Sequence, residues 1–384
     1  MTRRISGRAL DITLLLDSPD EGWRAMDFAG EMLEKEWRRL PSEVTTTSIS
    51  MPIPPLVRRV PGLAFRKSAW TADRALLRYV AYPMRVLLAR RPGRFFHVVD
   101  HSYAQLVHCL PRARTGVYCH DIDAFRLALN LADEPRGSRT PALRMLARML
   151  LGALRSAAVV FYSTNAVRVL LDDHRLVDPS RLVYAPYGVA PEFGIEDDPR
   201  DGASKLLAPL GGRPFVLHVG SGVRRKRLDL LLDVFARLRA QNPDLRLVQQ
   251  GASLSPTQSA QVAALGIGDA LFQPPKVDRQ TLAGLYRRAA VVLVTSASEG
   301  FGFPVIEALA CGAKVVASDI PPLREVGAGG AVFAPVGDVT TWTTIVNGIL
   351  KGEAVPDRNL RIACAKRFSW TSHARTILDA YRSV

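Results

Sequence analysis

At 384 residues the chain is too long for one ordinary hydrophobic core, so two domains are expected. Apolar residues make up 48% of it and charges of both signs are mixed in, which excludes a disordered or fibrous chain and fits a folded soluble protein. The formal net charge of +15 favours nucleic acid, an anionic lipid surface or a phosphorylated substrate as partner, and leaves the three open.

The chain starts basic with MTRRISGRALDITLLLDSP, but the apolar part is only a strand long and lacks a signal-peptide core. No uninterrupted apolar run is long enough to cross a bilayer. Cys109, Cys119, Cys311 and Cys364 have no metal-type spacing and read as reduced, buried thiols, which fits a cytoplasmic protein.

In chain order, ALDITLLLD (9–17) predicts a buried strand. WRAMDFAGEMLEKEWRRL (23–40) predicts a helix, with Met26, Ala29, Met32, Leu33 and Trp37 at helical spacing. EVTTTSIS, FFHVVDH and TGVYCHD read as strands, PALRMLARMLLGALRSA as a helix, and AVVFYST and RLVYAPYGV as strands. Pro191–Pro214, rich in Pro, Gly and Asp, reads as a linker. The alternation then restarts with PFVLHVGS (strand), RLDLLLDVFARLRAQ (helix), DLRLVQQG (strand), TLAGLYRRA (helix) and VVLVTS (strand). Strands alternating with helices argue for parallel sheets covered on both faces. Ligands of such sheets sit beyond the carboxyl ends of the strands, which here carry His101, His120, Gly220, Gly251 and Glu299.

The segment Met51–Arg94 breaks the pattern. Arg58, Arg59, Arg66, Lys67, Arg74, Arg78, Arg85, Arg90, Arg91 and Arg94 stand against one acid of the segment, Asp73, with Phe65, Trp70, Leu76, Leu77, Tyr79 and Tyr82 interleaved. Such a stretch suits either an anionic membrane surface or a solvated helical face with a packed apolar side.

Two stretches carry chemistry. In HVGSGVRRKRLDLLLDVF a strand ends at Gly220, a Ser221-Gly222 turn follows, and Arg224, Arg225, Lys226 and Arg227 precede a helix. Glycine-rich backbone with clustered cations at a helix start is an anion site, or else a basic surface turn, and the Walker and GxGxxG spacings are absent. In SEGFGFPVIEALACGAKVVAS a buried strand leads through Gly300 and Gly302 into a helix opened by Pro304 and stopped at Gly312. Glu299 stands at the mouth of the loop beside the amides of Gly300, Phe301 and Gly302, and Glu307 lies farther along the helix. A carboxylate there suits a vicinal diol, while the plain alternatives are a helix cap and a solvated glutamate.

The linked set EGFGFPVIEALACGAKVVASDIPPLREV, VGSGVRRKRLDLLLDVF, FYSTNAVRVLL, YGV at Gly188 and RFSWTSHARTILDAYR resembles the retaining glycosyltransferases of family 4 (glycosyl transferases group 1). It covers nearly all of Phe215–Val384 and the first half loosely. The resemblance implies a GT-B fold: two Rossmann-like, doubly wound parallel-sheet α/β domains facing a central cleft. The expected divisions are an acceptor-side domain at 1–195, a nucleotide-sugar domain at 196–368, and a helix at 369–384 packing back on the first.

The resemblance also implies roles. Arg225 and Lys226, with Gly220, would hold the donor diphosphate. Glu307 would bind the ribose hydroxyls, and Glu299 with Gly300, Phe301 and Gly302 the transferred sugar. Lys276 and Val277 would meet the base, and His120, with Asp121 beside it, would point at the sugar as catalytic groups. The donor is expected to be a GDP- or UDP-sugar, with no cofactor and no metal, since Arg225 and Lys226 would carry the leaving charge.

The acceptor is expected to be a glycan or lipid-linked, in bacterial cell-envelope polysaccharide or lipopolysaccharide synthesis. Arg58–Arg94 would hold the enzyme to the inner face of the cytoplasmic membrane. One departure stands out: the family's glycine-rich first loop is replaced by DSPDEGWRAMDFAG, with only Gly22 near the turn. The rival readings are a nucleotide-sugar epimerase of similar fold, against which the glutamate spacing argues, and a nucleic-acid-binding protein, for which no motif is present. No nucleic acid is expected as a partner.

Overall fold

The computed structural model describes residues 9–63, 65–129, 140–196, 198, 201–251 and 253–384; the basic start Met1–Arg8 lies outside the described residues. The chain divides into two compact units, one of Met1–Tyr187 with Trp370–Val384, the other of Gly188–Ser369.

The first unit is built on a six-stranded sheet of order β2-β1-β3-β4-β5-β6. The strands are β1 Leu10–Leu15, β2 Val44–Ile49, β3 Phe95–Val98, β4 Thr115–Cys119, β5 Val159–Tyr162 and β6 Leu182–Tyr184, and all pair parallel. Strands β3, β4 and β5 are buried at every position, as unalternated apolar runs require. The helix Arg24–Arg38 buries Ala29, Met32, Leu33 and Trp37, its predicted apolar stripe. Trp37 is fully buried, and its indole N–H donates to the carbonyl of Ala374 at 3.1 Å. That bond fixes the last helix, Trp370–Arg382, in the same unit. Tyr381 of that helix reaches His97 Nδ1 at 2.8 Å and fills the space where a side chain at Gly116 would stand.

The second unit repeats the plan with strand order β12-β11-β10-β7-β8-β9. Its strands are β7 Phe215–Val219, β8 Arg246–Gln250, β9 Leu271–Phe272, β10 Val291–Val294, β11 Val315–Ser318 and β12 Val332–Ala334, again all parallel.

These strand orders place the ligand edges. In the first unit the chain leaves β1 for β2 on one side and then returns to β3 on the other, so the reversal lies between β1 and β3. In the second unit it runs β7, β8, β9 and then comes back to β10 beside β7. At such reversals the flanking connections diverge and leave a crevice beyond the strand ends.

Pro191–Pro214 differs from the expected linker. It contains the helix Ala203–Leu207, and its Asp201 is buried against Arg287 at 3.0 Å and Arg288 at 2.6 Å. Gly284, lacking a side chain, leaves Asp201 the room. Pairing of Asp201 with arginines far along the chain ties the described part of this turn-rich stretch into the second unit.

The basic segment is also more structured than its composition implies. Helix Lys67–Leu76 passes through a wide π turn at Leu77–Ala81 into helix Tyr82–Leu88. The wide turn precedes Pro83, which has no N–H to close a regular bond to Tyr79. Arg58 pairs with Asp73 at 2.8 Å, Arg74 and Arg78 with Glu21 at 2.7 and 2.5 Å, and Arg94 with Asp11 at 2.9 Å. Arg59, Arg66, Lys67, Arg85, Arg90 and Arg91 remain exposed. Among the described residues no helix is long and apolar enough to cross a membrane.

Candidate functional site

The reversal point of the second unit gathers the two chemistry-bearing stretches. β7 ends at Val219, and Gly220 follows with its N–H bonded to Gln250 O at 2.9 Å. Gly251, at φ 122°, lies so close that a side chain there would meet Gly220 O at 2.8 Å. Two bare backbones therefore pack at the ends of β7 and β8, which larger residues would push apart.

Arg224–Lys226 forms a tight turn directly ahead of the helix Leu228–Gln241. It is pinned to the end of β10 by backbone. Ala297 N donates to Arg225 O at 2.7 Å, and the fully buried Thr295 hydroxyl donates to Lys226 O at 2.9 Å.

Across this seam Glu299 meets both cations. Its Oε2 accepts from Arg225 at 2.8 Å, and its Oε1 accepts from Lys226 Nζ and, at 2.7 Å, from the Ser296 hydroxyl. The Glu299 side chain is 7% exposed. Burial works against its ionisation, but Lys226, Arg225 and Ser296 hold its carboxyl below the usual range. Two cations against one carboxylate leave a net positive charge beside a helix start, which fits an anion of more than one charge.

Gly302, at φ 114°, then turns the chain into the helix Phe303–Ala310; a side chain on it would meet Leu323 Cδ2 at 2.6 Å. Glu307 lies in the second turn of that helix and accepts from the Tyr286 hydroxyl at 3.0 Å. Burial raises its carboxyl to about 7, against the pull of Tyr286, Arg279 and Lys226. Phe301 is buried among Phe303 and Phe368, so its contribution to the loop is packing and a backbone N–H. Lys276, exposed, and Val277, half-buried, lie on the loop between β9 and helix Arg279–Arg288. That loop is tied to the end of β8 by Gln250 Nε2 donating to Pro275 O at 3.3 Å.

In the first unit the reversal between β1 and β3 carries a different chemistry. Asp17, Asp100, His101, His120 and Asp121 stand at the ends of β1, β3 and β4. His120 has both ring nitrogens engaged: Nε2 donates to Val99 O at 2.9 Å and Nδ1 accepts from the Tyr187 hydroxyl. Burial lowers its pKa to about 4, so it is a neutral imidazole. The His120 ring is also stacked on Tyr118 at 4.9 Å.

Asp121 pairs with His101 at 3.3 Å, and Asp100 lies 3.4 Å from the other His101 nitrogen. Burial opposes charge on His101, but the bond to Asp121 and the Asp100 charge raise its pKa overall. Asp17 is 4% exposed, and burial with the neighbouring Asp100 charge pushes its carboxyl up to about 10. Asp100, His101 and His120 converge within ligand distance of one another, but with His120 fully engaged they do not offer three free ligand atoms.

Tyr286, Ser296, Thr295 and Tyr187 were not singled out from sequence. Each acts through another residue's side chain or backbone, and a Tyr on a helix or a Ser at a strand end carries no spacing signal of its own. Asp17 and Asp100 were not singled out either.

Residues 204–367 match the family model described as Glycosyl transferases group 1. The D-inositol 3-phosphate glycosyltransferase of Geodermatophilus obscurus is 30% identical over 377 residues, spanning 90% of this chain and 81% of that protein. The chain belongs to the group 1 glycosyl transferases. The enzyme of the same name from Frankia alni is 30% identical over 380 residues, spanning 88% of this glycosyltransferase and 89% of its relative.

Among solved structures, Anabaena HepE in complex with UDP and glucose aligns with a TM-score of 0.72 at 16% identity, covering 98% of this chain and all of that one. WaaG, a glycosyltransferase involved in lipopolysaccharide biosynthesis, aligns at 0.65 and 14% identity over 96% of this chain and 95% of its own. The fold of this glycosyltransferase is therefore GT-B, with two Rossmann-like units.

Proposed function

We propose that this glycosyltransferase moves a sugar, with retention at the anomeric carbon, from a UDP- or GDP-sugar to a hydroxyl of a glycan or lipid-linked acceptor of the bacterial cell envelope. The observation that carries the reading is the seam between β7 and β10, where Arg225 and Lys226 close on Glu299, at the mouth of the loop that leads into the helix bearing the Glu307–Tyr286 pair.

A diphosphate beside this seam is met by Arg225 and Lys226, with Glu299 keeping both cations aimed and partly neutralised. Glu307, ionised, accepts from both ribose hydroxyls. As the bond to the sugar breaks, negative charge grows on the diphosphate, and Arg225, Lys226 and the start of helix Leu228–Gln241 stabilise it more than they stabilise the ground state. Glu299 is a positioning group in this scheme: its oxygens are already held by Arg225, Lys226 and Ser296. The acceptor hydroxyl attacks on the face from which the leaving group departs and gives its proton to the diphosphate. His120 and Asp121, with Asp100 and His101, form the polar end of the first unit that meets hydroxyl groups.

The exposed cations of Arg58–Arg94 and the exposed apolar Leu56, Val60, Phe65, Val80, Met84 and Leu88 favour an anionic membrane surface as the place of work. The similarity to D-inositol 3-phosphate glycosyltransferases and, in fold, to a glycosyltransferase involved in lipopolysaccharide biosynthesis supports polyol or glycan acceptors.

The test is thermal shift with UDP, GDP, ADP, dTDP and their common sugars on the wild type, Glu307→Ala and Lys226→Ala. Selective stabilisation by one nucleotide, weakened in both variants, is expected. No stabilisation by any of them, beside salt-sensitive nucleic-acid binding, would overturn the reading.

A further inference from the structure

The first unit has a concavity of about 270 Å³ between the sheet at β1–β2 and the end of helix Tyr82–Leu88, away from the strand-end crevice. Thr13, Thr47, Arg85, Arg91 and Arg94 line it, and the 80%-exposed Leu88 stands on its rim. Thr13 and Thr47 are register partners in the parallel β1–β2 pair, so their hydroxyls lie side by side on one face of the sheet.

Three features of this lining point to an anion. Arg94 is already matched by Asp11 at 2.9 Å, but the side chains of Arg85 and Arg91 have neither an ion pair nor a hydrogen bond among the described residues, so the concavity keeps a double positive excess. Thr13 is fully buried, yet its hydroxyl has no partner, and a buried hydroxyl without a partner is costly unless something else meets it. The available groups are all donors or hydroxyls, the set that suits tetrahedral oxyanions.

What flanks the concavity selects among the sources of such an anion. Val80, Met84, Leu87 and Leu88 are all exposed and fall at the spacing of one helical face. An apolar stripe alongside a cationic concavity matches acyl chains alongside a phosphodiester, and a dissolved phosphate ester gains nothing from the stripe.

We propose that this concavity binds a phosphate-ester group, and that its occupant is the head group of an anionic phospholipid. The inference rests on the membrane part of the proposed function and names the site through which it works. It is independent of the donor chemistry.

The experiment is sedimentation of the full chain with phosphatidylcholine vesicles with and without phosphatidylglycerol, at fixed salt. The wild type is compared with Thr13→Val, the double variant Arg85→Gln/Arg91→Gln, and the control pair Arg59→Gln/Arg66→Gln. Thr13→Val keeps shape and net charge and removes a hydroxyl that has no partner, so it is expected to fold with an unchanged or higher Tm. Binding to phosphatidylglycerol vesicles should fall several-fold in Thr13→Val and roughly tenfold or more in Arg85→Gln/Arg91→Gln, beyond the loss in the control pair.

Unchanged vesicle binding in Thr13→Val, or equal losses in the two arginine pairs, would mean a diffuse charged surface and overturn the proposal. Glycerol 3-phosphate serves as the soluble arm. A Tm rise with it that Thr13→Val abolishes, while vesicle binding is untouched, would assign the site to a dissolved phosphate ester instead. The nucleotide panel run on the same variants should be unaltered, and its failure on the wild type would count against the donor reading alone.

Discussion

Donor affinity should depend on pH through Glu307. This carboxyl is raised to about 7 because burial penalises its charge more than Tyr286, Arg279 and Lys226 favour it. An ionised carboxylate accepts from both ribose hydroxyls, whereas the protonated acid must spend one oxygen as a donor. A group titrating near 7 is about one-tenth ionised at pH 6 and about nine-tenths at pH 8, so the affinity gained across that interval approaches tenfold, or ~1.4 kcal/mol.

The assay is calorimetric titration with the nucleotide sugar that the panel selects, from pH 6 to pH 8. A nucleotide sugar is a diphosphate diester whose own charge stays constant there, so the slope belongs to the protein. Tyr286→Phe removes the hydroxyl that supports the carboxylate and should move the rise to higher pH without abolishing it. Glu307→Gln should bind more weakly and with no slope.

The same shift fixes the sign for stability. A carboxyl raised by folding makes the unfolded state the more acidic one, so stability falls as pH rises from the ordinary glutamate range to about 7. Glu307→Gln should therefore raise Tm at pH 8 and leave it nearly unchanged at pH 4.5. A flat affinity profile in the wild type, or the same profile in Glu307→Gln, would refute the assignment of Glu307 to the ribose.

Lys226→Met leaves Arg225 as the only cation on the buried Glu299. Urea unfolding should show a loss of ~1–3 kcal/mol, largely recovered by adding Glu299→Gln, while nucleotide binding is not recovered. Gly302→Ala combines a left-handed backbone with a side chain 2.6 Å from Leu323 Cδ2. It should cost ~2–4 kcal/mol, read as a lowered denaturant midpoint. Asp17 is held neutral up to about 10, so wild-type stability should decline with pH from the ordinary aspartate range toward that value. Asp17→Asn, which matches the neutral acid in shape, should flatten the decline between pH 5 and pH 8 in urea unfolding.

Much of the fold was legible because its determinants are local. Val291–Val294 and Phe95–Val98 are strands buried on both faces, and their unbroken apolar runs say so. Arg24–Arg38 shows its buried stripe in its spacing. In the candidate donor site Gly220, Arg225, Lys226, Glu299 and Glu307 were legible as two linked stretches. The resemblance to family 4 rested on them, and the match to the group 1 glycosyl transferases agrees with it. Pro191–Pro214 misread as a linker because its order comes from Asp201 meeting Arg287 and Arg288, a long-range pairing that composition does not display. In the basic segment, likewise, Glu21 and Asp11 answer arginines far along the chain from them.

The sequence by itself determined the alternation of strand and helix, the two-unit plan and the residue types that meet an anion and a diol, since these depend on periodicity and on neighbours within one turn or loop. Only the tertiary structure decided which charges are spent and which are free. It turned Glu299 onto Arg225 and Lys226, engaged both nitrogens of His120, set Tyr286 behind Glu307, and left Arg85, Arg91 and the Thr13 hydroxyl unmatched over one concavity. The reason is physical: a side chain's protonation and partners are fixed by what lies within a few ångströms of it, and in a parallel sheet those neighbours come from strands distant in sequence.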